Sequence, residues 1–234
     1  MQVETIGAAT LYLGDCREIA PTLPRPAALI SDPPYGQELK TNIMGRGGDR
    51  RGSIFRGERQ PNRWPSKITG DDEPFDPLPW LSVAEIVLFW GAHKFAERLP
   101  PGQWLVWDKL HPAGLCQGDG EAAWLNVPRP MRIYRLLWNG LCVGTAAKAE
   151  CTNGQKRVHP TQKPIALMTW CIEQARVPAG GTILDPYMGA GSTGIAAVRA
   201  GHPFTGIEIE QRCFDTACRR IEAECRAQAT AAAA

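Results

Sequence analysis

No two of the eight cysteines, at 16, 116, 142, 151, 171, 213, 218 and 225, stand in a Cys-x-x-Cys pair. Without finger or ribbon spacing no zinc site is expected, and scattered thiols of this kind read as reduced, several of them core fillers in a cytosolic protein. Long apolar runs are missing too, since none approaches the ~18–20 residues a membrane span needs. The opening MQVETIGAAT lacks the basic start and apolar core of a secretory signal. Net charge is scarce, +2 over 234 residues, and there is no internal repeat. These absences exclude a disulfide scaffold, a membrane protein and a repeat array. What remains, 44% hydrophobic and 21% charged, is an ordinary globular composition, long enough for one large α/β domain.

The small net charge is unevenly spread. From 37 to 68 there are eight basic residues (Lys40, Arg46, Arg50, Arg51, Arg56, Arg59, Arg63, Lys67) against three acids. From 129 to 157 there are six (Arg129, Arg132, Arg135, Lys148, Lys156, Arg157) against Glu150 alone. One such block is often a solvated loop; two around one site favour a polyanion such as nucleic acid. Trp64 and Phe55 stand inside the first block and suit contacts with nucleic acid. The Gly- and Arg-rich run 45–65 has no periodicity, and is too long for a simple connection.

Short apolar strands alternate with helices or loops: Thr10–Leu13, Ala27–Ser31, Ile86–Trp90, Trp104–Trp107, Ile133–Leu137, Thr182–Asp185 and Phe204–Glu208. That order predicts an α/β fold with a mostly parallel sheet. Helices are predicted over Pro164–Arg176, about Ser192–Ala200 and about Cys213–Arg226, with the Ala-rich end 229–234 frayed.

Two segments carry chemistry. In LISDPPYGQE (29–38) a buried strand runs into Asp32-Pro33-Pro34-Tyr35. Two prolines hold that backbone extended, so the Asp32 carboxylate and the Pro33 carbonyl become fixed acceptors beside one aromatic face. The second is TILDPYMGAGSTGIAAVRAGHPFTGIEIE (182–210). It reads as a strand ending in Asp185, a turn with Gly189 and Gly191, a helix, and a strand ending in Glu208. An acid near 20 residues past the first strand end is the spacing at which ribose hydroxyls are bound, which favours an adenosine ligand. The turn lacks the Gly-Lys-Ser/Thr ending of a phosphate loop.

With both segments in hand, the chain resembles the beta-class S-adenosylmethionine-dependent DNA amino-methyltransferases, which act on adenine N6 or cytosine N4. In that family an Asp-Pro-Pro-Tyr motif precedes an Asp-Pro-x-x-Gly-x-Gly motif. His159-Pro160-Thr161-Gln162-Lys163-Pro164 resembles the family's cofactor-contacting segment, and Gly14-Asp15-Cys16 its strand-end acid. The likeness runs from Gly14 to about Glu222. It implies a Rossmann-like methyltransferase fold, a mixed, mostly parallel sheet flanked by helices, circularly permuted so that the catalytic motif comes first. By the resemblance, Asp32, Pro33, Pro34 and Tyr35 are catalytic. Asp15, Cys16, Asp32, His159, Thr161, Lys163, Asp185, Pro186, Gly189, Gly191, Ser192, Thr193, Glu208 and Ile209 bind the cofactor, without a metal. Lys40, Arg46, Arg50, Arg51, Arg56, Arg59, Arg63, Trp64, Arg132, Arg135, Lys156 and Arg157 meet DNA.

The implied function is methylation of the N6 amine of an adenine flipped out of double-stranded DNA. Cytosine N4 is the alternative, and a catalytically silent DNA-binding subunit a more distant one. Family members acting on cytosine more often carry Ser where this chain has Asp32. A cytosine-C5 enzyme is excluded, because no Pro-Cys pair supplies its nucleophile. One domain is expected over 1–228, with a mobile basic loop at about 37–70 and a small target-recognition region at about 110–158. The expected setting is bacterial or phage-encoded and cytoplasmic, away from membranes, with a homodimer left open.

Overall fold

The computed structural model describes residues 2–36, 69–110, 118–137 and 162–232. Most of the basic loop and Lys156, Arg157, His159 and Thr161 therefore lie outside the described residues, as do Phe55 and Trp64.

Among the described residues nine strands form one sheet. They are β1 (Gln2–Ile6), β2 (Ala9–Leu13), β3 (Ala28–Ser31), β4 (Ile86–Trp90), β5 (Gln103–Asp108), β6 (Gly120–Leu125), β7 (Arg132–Arg135), β8 (Ile183–Asp185) and β9 (Phe204–Glu208). Their spatial order is β1-β2-β9-β8-β3-β4-β6-β5-β7. The five strands from β2 to β4 run parallel, whereas β1 and β6 are antiparallel to their neighbours. The helices are α1 (Cys16–Ile19), α2 (Ile165–Ala175), α3 (Ser192–Arg199) and α4 (Gln211–Ala232).

The central strands are apolar throughout because both faces are covered. On β4, Leu88 and Trp90 enter one core with Ile165, Met168 and Ile172 of α2 and with Phe214 of α4. Val87 and Phe89 enter the opposite core with Phe75, Trp80 and Trp124. Each large apolar side chain buried in this way contributes about 1.5–3 kcal/mol. The five free cysteines among the described residues include Cys16 and Cys171, both buried; burial pushes the Cys16 thiol up to about 11.

Three boundaries differ from expectation. Residues 120–125, inside the stretch assigned to target recognition, are a strand of the main sheet, whereas the strand expected at Ile133–Leu137 is found as β7. β6 was not expected because its apolar run is short and opens on Gly118-Asp119-Gly120; pairing with β4 and β5 on both sides overrides that weak local signal. β1 has almost no buried side chains and is held instead by a two-residue hairpin at Gly7-Ala8, Gly7 having φ 59°. The tail expected to fray is helical to Ala232, as suits alanine, the strongest helix former.

Candidate active site

The acids singled out from the sequence stand together at the carboxyl ends of the parallel strands. Asp15 follows β2, Asp32 follows β3, and Asp185 and Glu208 end β8 and β9. From β3 the chain continues to β4 on one side, whereas from β8 it continues to β9 on the other. The crevice at such a switch point is where open α/β sheets bind ligands. Here it is a cavity of about 1020 Å³, lined among others by Asp15, Cys16, Asp32, Pro33, Pro34, Tyr35, Lys163, Asp185, Pro186, Gly189, Ser192, Thr193, Glu208 and Ile209.

One half of the cavity is built on a glycine turn. Glu208 accepts the backbone N–H of Gly189 (2.9 Å) through Oε2 and that of Glu210 (2.8 Å) through Oε1. Gly189 and Gly191 have φ of 51° and 76°, and a Cβ on Gly191 would press on Ala217 of α4 at 3.0 Å. Glycine is thus required at 191 by both conformation and space. Asp185 accepts from Ser31 Oγ (2.6 Å), Thr193 Oγ1 (2.6 Å) and the Tyr187 N–H (3.1 Å). Those three donors make Asp185 and Thr193 a clamp between β3, the turn and α3. Asp15 caps α1 and is gripped by Arg17, which holds its carboxyl below the usual range. Ile209 stays half exposed at the cavity's lip, an apolar surface on which a flat ring can lie.

Burial pushes Glu208 up to about 7 and Asp185 up to about 6. A raised carboxyl favours the folded state while protonated, so that stability is complete below the ordinary value near 4.5 and fades as pH rises through about 7. For Glu208 the difference corresponds to about 3 kcal/mol. The ligand-free protein is expected to lose melting temperature between pH 5 and 8, and Glu208→Gln to flatten that loss. Identical slopes in scanning calorimetry of the two proteins would refute the assignment.

The other half of the cavity surrounds Asp32. Lys163, just before α2, places its Nζ 2.6 Å from Asp32 Oδ2 and 3.0 Å from Glu121 Oε2 on β6, and Lys109 Nζ is 2.6 Å from Glu121 Oε1. Four alternating charges are thereby brought together, Lys163 buried and the other three half-buried. Burial raises the Asp32 carboxyl, with Lys163 the main opposing influence. Burial also works to raise Glu121, but Lys163 and Lys109 hold it down at about 2. Asp32 Oδ1 is buried and takes no hydrogen bond, an acceptor without a donor, which native interiors seldom leave. Glu121 and Lys109 were not foreseen from the sequence, where no motif contains them. Trp90 and Trp107 are core residues. They lie beneath the two lysines, with Lys163 Nζ 5.8 Å from the Trp90 ring centre and Lys109 Nζ 5.1 Å from that of Trp107.

Tyr35 rests on Gly91, which follows β4 with φ 69°; a Cβ there would fall within the tyrosine ring's own volume. Gly91→Ala is expected to displace Tyr35 and cut turnover by roughly 10²-fold, the cost of misplacing a reacting geometry by about 1 Å. Unchanged single-turnover rates in the variant would rule this seat out.

Arg132 and Arg135 are exposed on the edge strand β7, with Arg135 3.4 Å from Asp108. Among the described residues no group of three or more His, Cys, Asp or Glu is placed to hold a metal ion, and no helix is long and apolar enough to cross a membrane.

The sheet order and its crevice define a Rossmann-like methyltransferase fold. Two solved structures share it: M1.HpyAVI in complex with SAM (TM-score 0.53, 21% identity, 91% of this chain and 98% of that one) and the cytosine-N4-specific PvuII DNA methyltransferase (TM-score 0.55, 12% identity, 95% and 93%). In sequence, residues 127–219 match the N6/N4 DNA methylase family model. The type II methyltransferase M2.DpnII of Streptococcus pneumoniae is 46% identical over 66 residues, which is 28% of this chain but only 24% of that protein. M.HinfI of Haemophilus influenzae, also a type II methyltransferase, is 24% identical over 91% of this chain and 68% of its own. The chain is thus similar in sequence to DNA methylases over residues 127–219, and it shares the fold of DNA methyltransferases.

Proposed function

We propose that this chain transfers a methyl group from S-adenosylmethionine to the N6 amine of an adenine turned out of double-stranded DNA, in the cytoplasm of a bacterium or its phage. The observation that carries the reading is the joining, in one cavity, of Asp32 with its unpaired Oδ1 and the glycine turn pinned by Glu208. The residues present fit the cofactor. Glu208 lines the cavity, its carboxylate oxygens retain acceptor capacity for ribose hydroxyls, and Ile209 offers the adenine a face. Asp15 and Cys16 border the same space. Bound there, the cofactor supplies a methyl group on a positively charged sulfur.

The protein's own contribution is to the amine. An exocyclic amine conjugated to a ring is a poor nucleophile, because its lone pair is delocalised. Asp32 accepting one N–H and the Pro33 carbonyl the other would draw the nitrogen toward tetrahedral geometry, so that its lone pair points out of the ring plane. The carboxylate also stabilises the positive charge that develops on nitrogen. Tyr35 gives the base a surface to stack on, worth about 1–3 kcal/mol against the cost of unstacking.

Adenine is preferred over cytosine on the identity of Asp32. Digestion of methylated DNA to nucleosides with mass identification tests it: N6-methyladenine is expected, and N4-methylcytosine as the main product would overturn the base assignment alone.

The exposed Arg132 and Arg135, with the basic loop around Arg50, Arg51 and Arg56, are assigned to phosphate contacts. Replacing Arg132 and Arg135 by Ala is expected to weaken binding to all DNA sequences alike and to reduce the salt slope by up to about two contacts. A slope equal to that of the wild type would remove β7 from the DNA interface.

A further inference from the structure

Lys163 sits in the segment whose resemblance assigns it to the cofactor, yet its ammonium is engaged elsewhere. It is 8% exposed and lies between Asp32 and Glu121. A lysine has three N–H donors and no acceptor. One of them is donated to Asp32 Oδ2, the ammonium also forms an ion pair with Glu121 Oε2, and a cation there would repel a positively charged sulfur if no counter-charge were present. Glu121 supplies that counter-charge. It stands opposite Trp107 in the β5–β6 register, a half-buried acid on a strand otherwise apolar from Ala122 to Leu125. Lys109, from the end of β5, binds its second oxygen. The four groups sum to zero charge, and the neutrality is arranged by residues from four separate elements.

We propose that Glu121 and Lys163 are positioning residues for methyl transfer: Lys163 commits Oδ2 of Asp32, Glu121 seated by Lys109 holds the Lys163 ammonium in place, and Oδ1 alone is left for the amine. This rests on the reading of Asp32 as the acid that faces the base. A carboxylate free to turn would offer either oxygen, or a protonated one. Tied at Oδ2 it stays ionised and presents one acceptor in a fixed direction, the kind of support that a site needs from the residues behind it.

The charges around Asp32 set the expected pH behaviour. Lys163 favours its ionised form and Glu121 opposes it, with Lys109 helping from farther off. Tyr35 and Asp185 also face it, and His93, from the turn after β4, faces Glu121 and Lys163. Removing Lys163 leaves two half-buried carboxylates against each other. Asp32 then takes up a proton at neutral pH, and the rate should climb about tenfold per pH unit as the proton is lost. Removing the charge of Glu121 as well relieves that repulsion.

The test is single-turnover methylation of DNA from pH 6 to 9 by the wild type, Glu121→Gln, Lys163→Met and the double variant, with calorimetry of S-adenosylmethionine binding and thermal melting on each. Glu121→Gln alone is expected to slow transfer about tenfold, with cofactor affinity within about threefold of the wild type. Lys163→Met should lose about 100-fold at pH 7 and recover in alkali. In that background Glu121→Gln should raise the rate at pH 7, the opposite of its effect in the wild type. Lys163→Arg, which keeps the charge, should keep the wild-type profile and shows that the fold tolerates change at 163. Losses that simply multiply, or a Lys163→Met profile of wild-type shape, overturn the proposal while the function stands. A wild-type protein that binds the cofactor but methylates no DNA overturns the function itself.

Discussion

Asp32→Ala is expected to lower the single-turnover methylation rate at least about 100-fold while leaving the affinity for S-adenosylmethionine within about threefold. The substitution removes the unpaired acceptor Oδ1 and also the counter-charge that Lys163 meets at 2.6 Å. The pocket that was neutral then carries an excess positive charge where a second one must develop on nitrogen. Asp32→Asn separates the two causes, because it keeps an acceptor oxygen but not the charge. Partial activity in Asn with none in Ala would assign the acceptor the larger share. The pH dependence has a fixed sign: burial raises the Asp32 carboxyl, so activity that needs it ionised falls as pH drops through that raised value and never on the alkaline side. Calorimetry is the control, and a collapse of cofactor binding in Asp32→Ala would mean that the two halves of the cavity have been exchanged.

The second large effect belongs to Asp185. Its side chain is 2% exposed and receives Ser31, Thr193 and the Tyr187 amide. Asp185→Ala strands two buried hydroxyls and one N–H, at about 1–3 kcal/mol for each donor left without a partner. A loss of 3–5 kcal/mol is expected, corresponding to roughly 10 °C in melting temperature for a domain of this size. The turn carrying Gly189 is released together with it, so cofactor affinity should fall more than about tenfold, an effect of 1.4 kcal/mol or more. Thr193→Val removes one of the three donors and should give about a third of the melting change. An Asp185→Ala protein with wild-type melting temperature would show that the clamp contributes nothing to the fold.

These two acids were visible in the sequence for the same reason. Each ends a short apolar strand, and Pro or Gly follows closely, so both strand and stop could be read locally. The parallel order and the cavity at the strand ends followed from that punctuation. The role of Asp185 did not follow. An acid at a strand end next to a glycine turn suggests contact with a ligand, and only the partners Ser31 and Thr193 reveal a clamp. Glu121 and Lys109 were hidden more deeply. Their sequence neighbours say nothing of Lys163 or Asp32, because the ion pairs close over 131 residues from Asp32 to Lys163. Such pairings depend on β6 lying between β4 and β5, and β6 itself had too little local signal to be placed. The alanine-rich end of α4 failed in the other direction: helix propensity carried it to Ala232, although it has almost nothing to pack against.

Gly91 also bears on what this gene can tolerate over generations. Every single-nucleotide change in a glycine codon that yields a different amino acid adds at least a Cβ, and the space where that atom would sit belongs to the Tyr35 ring. The exposed neighbours His93 and Lys94 have no such conflict. A library carried through repeated rounds of selection for methylated DNA should therefore accumulate diversity at 93 and 94 and stay monomorphic at 91. A lineage that did drift at 91 could regain the tyrosine's seat only by reshaping the loop that follows β3.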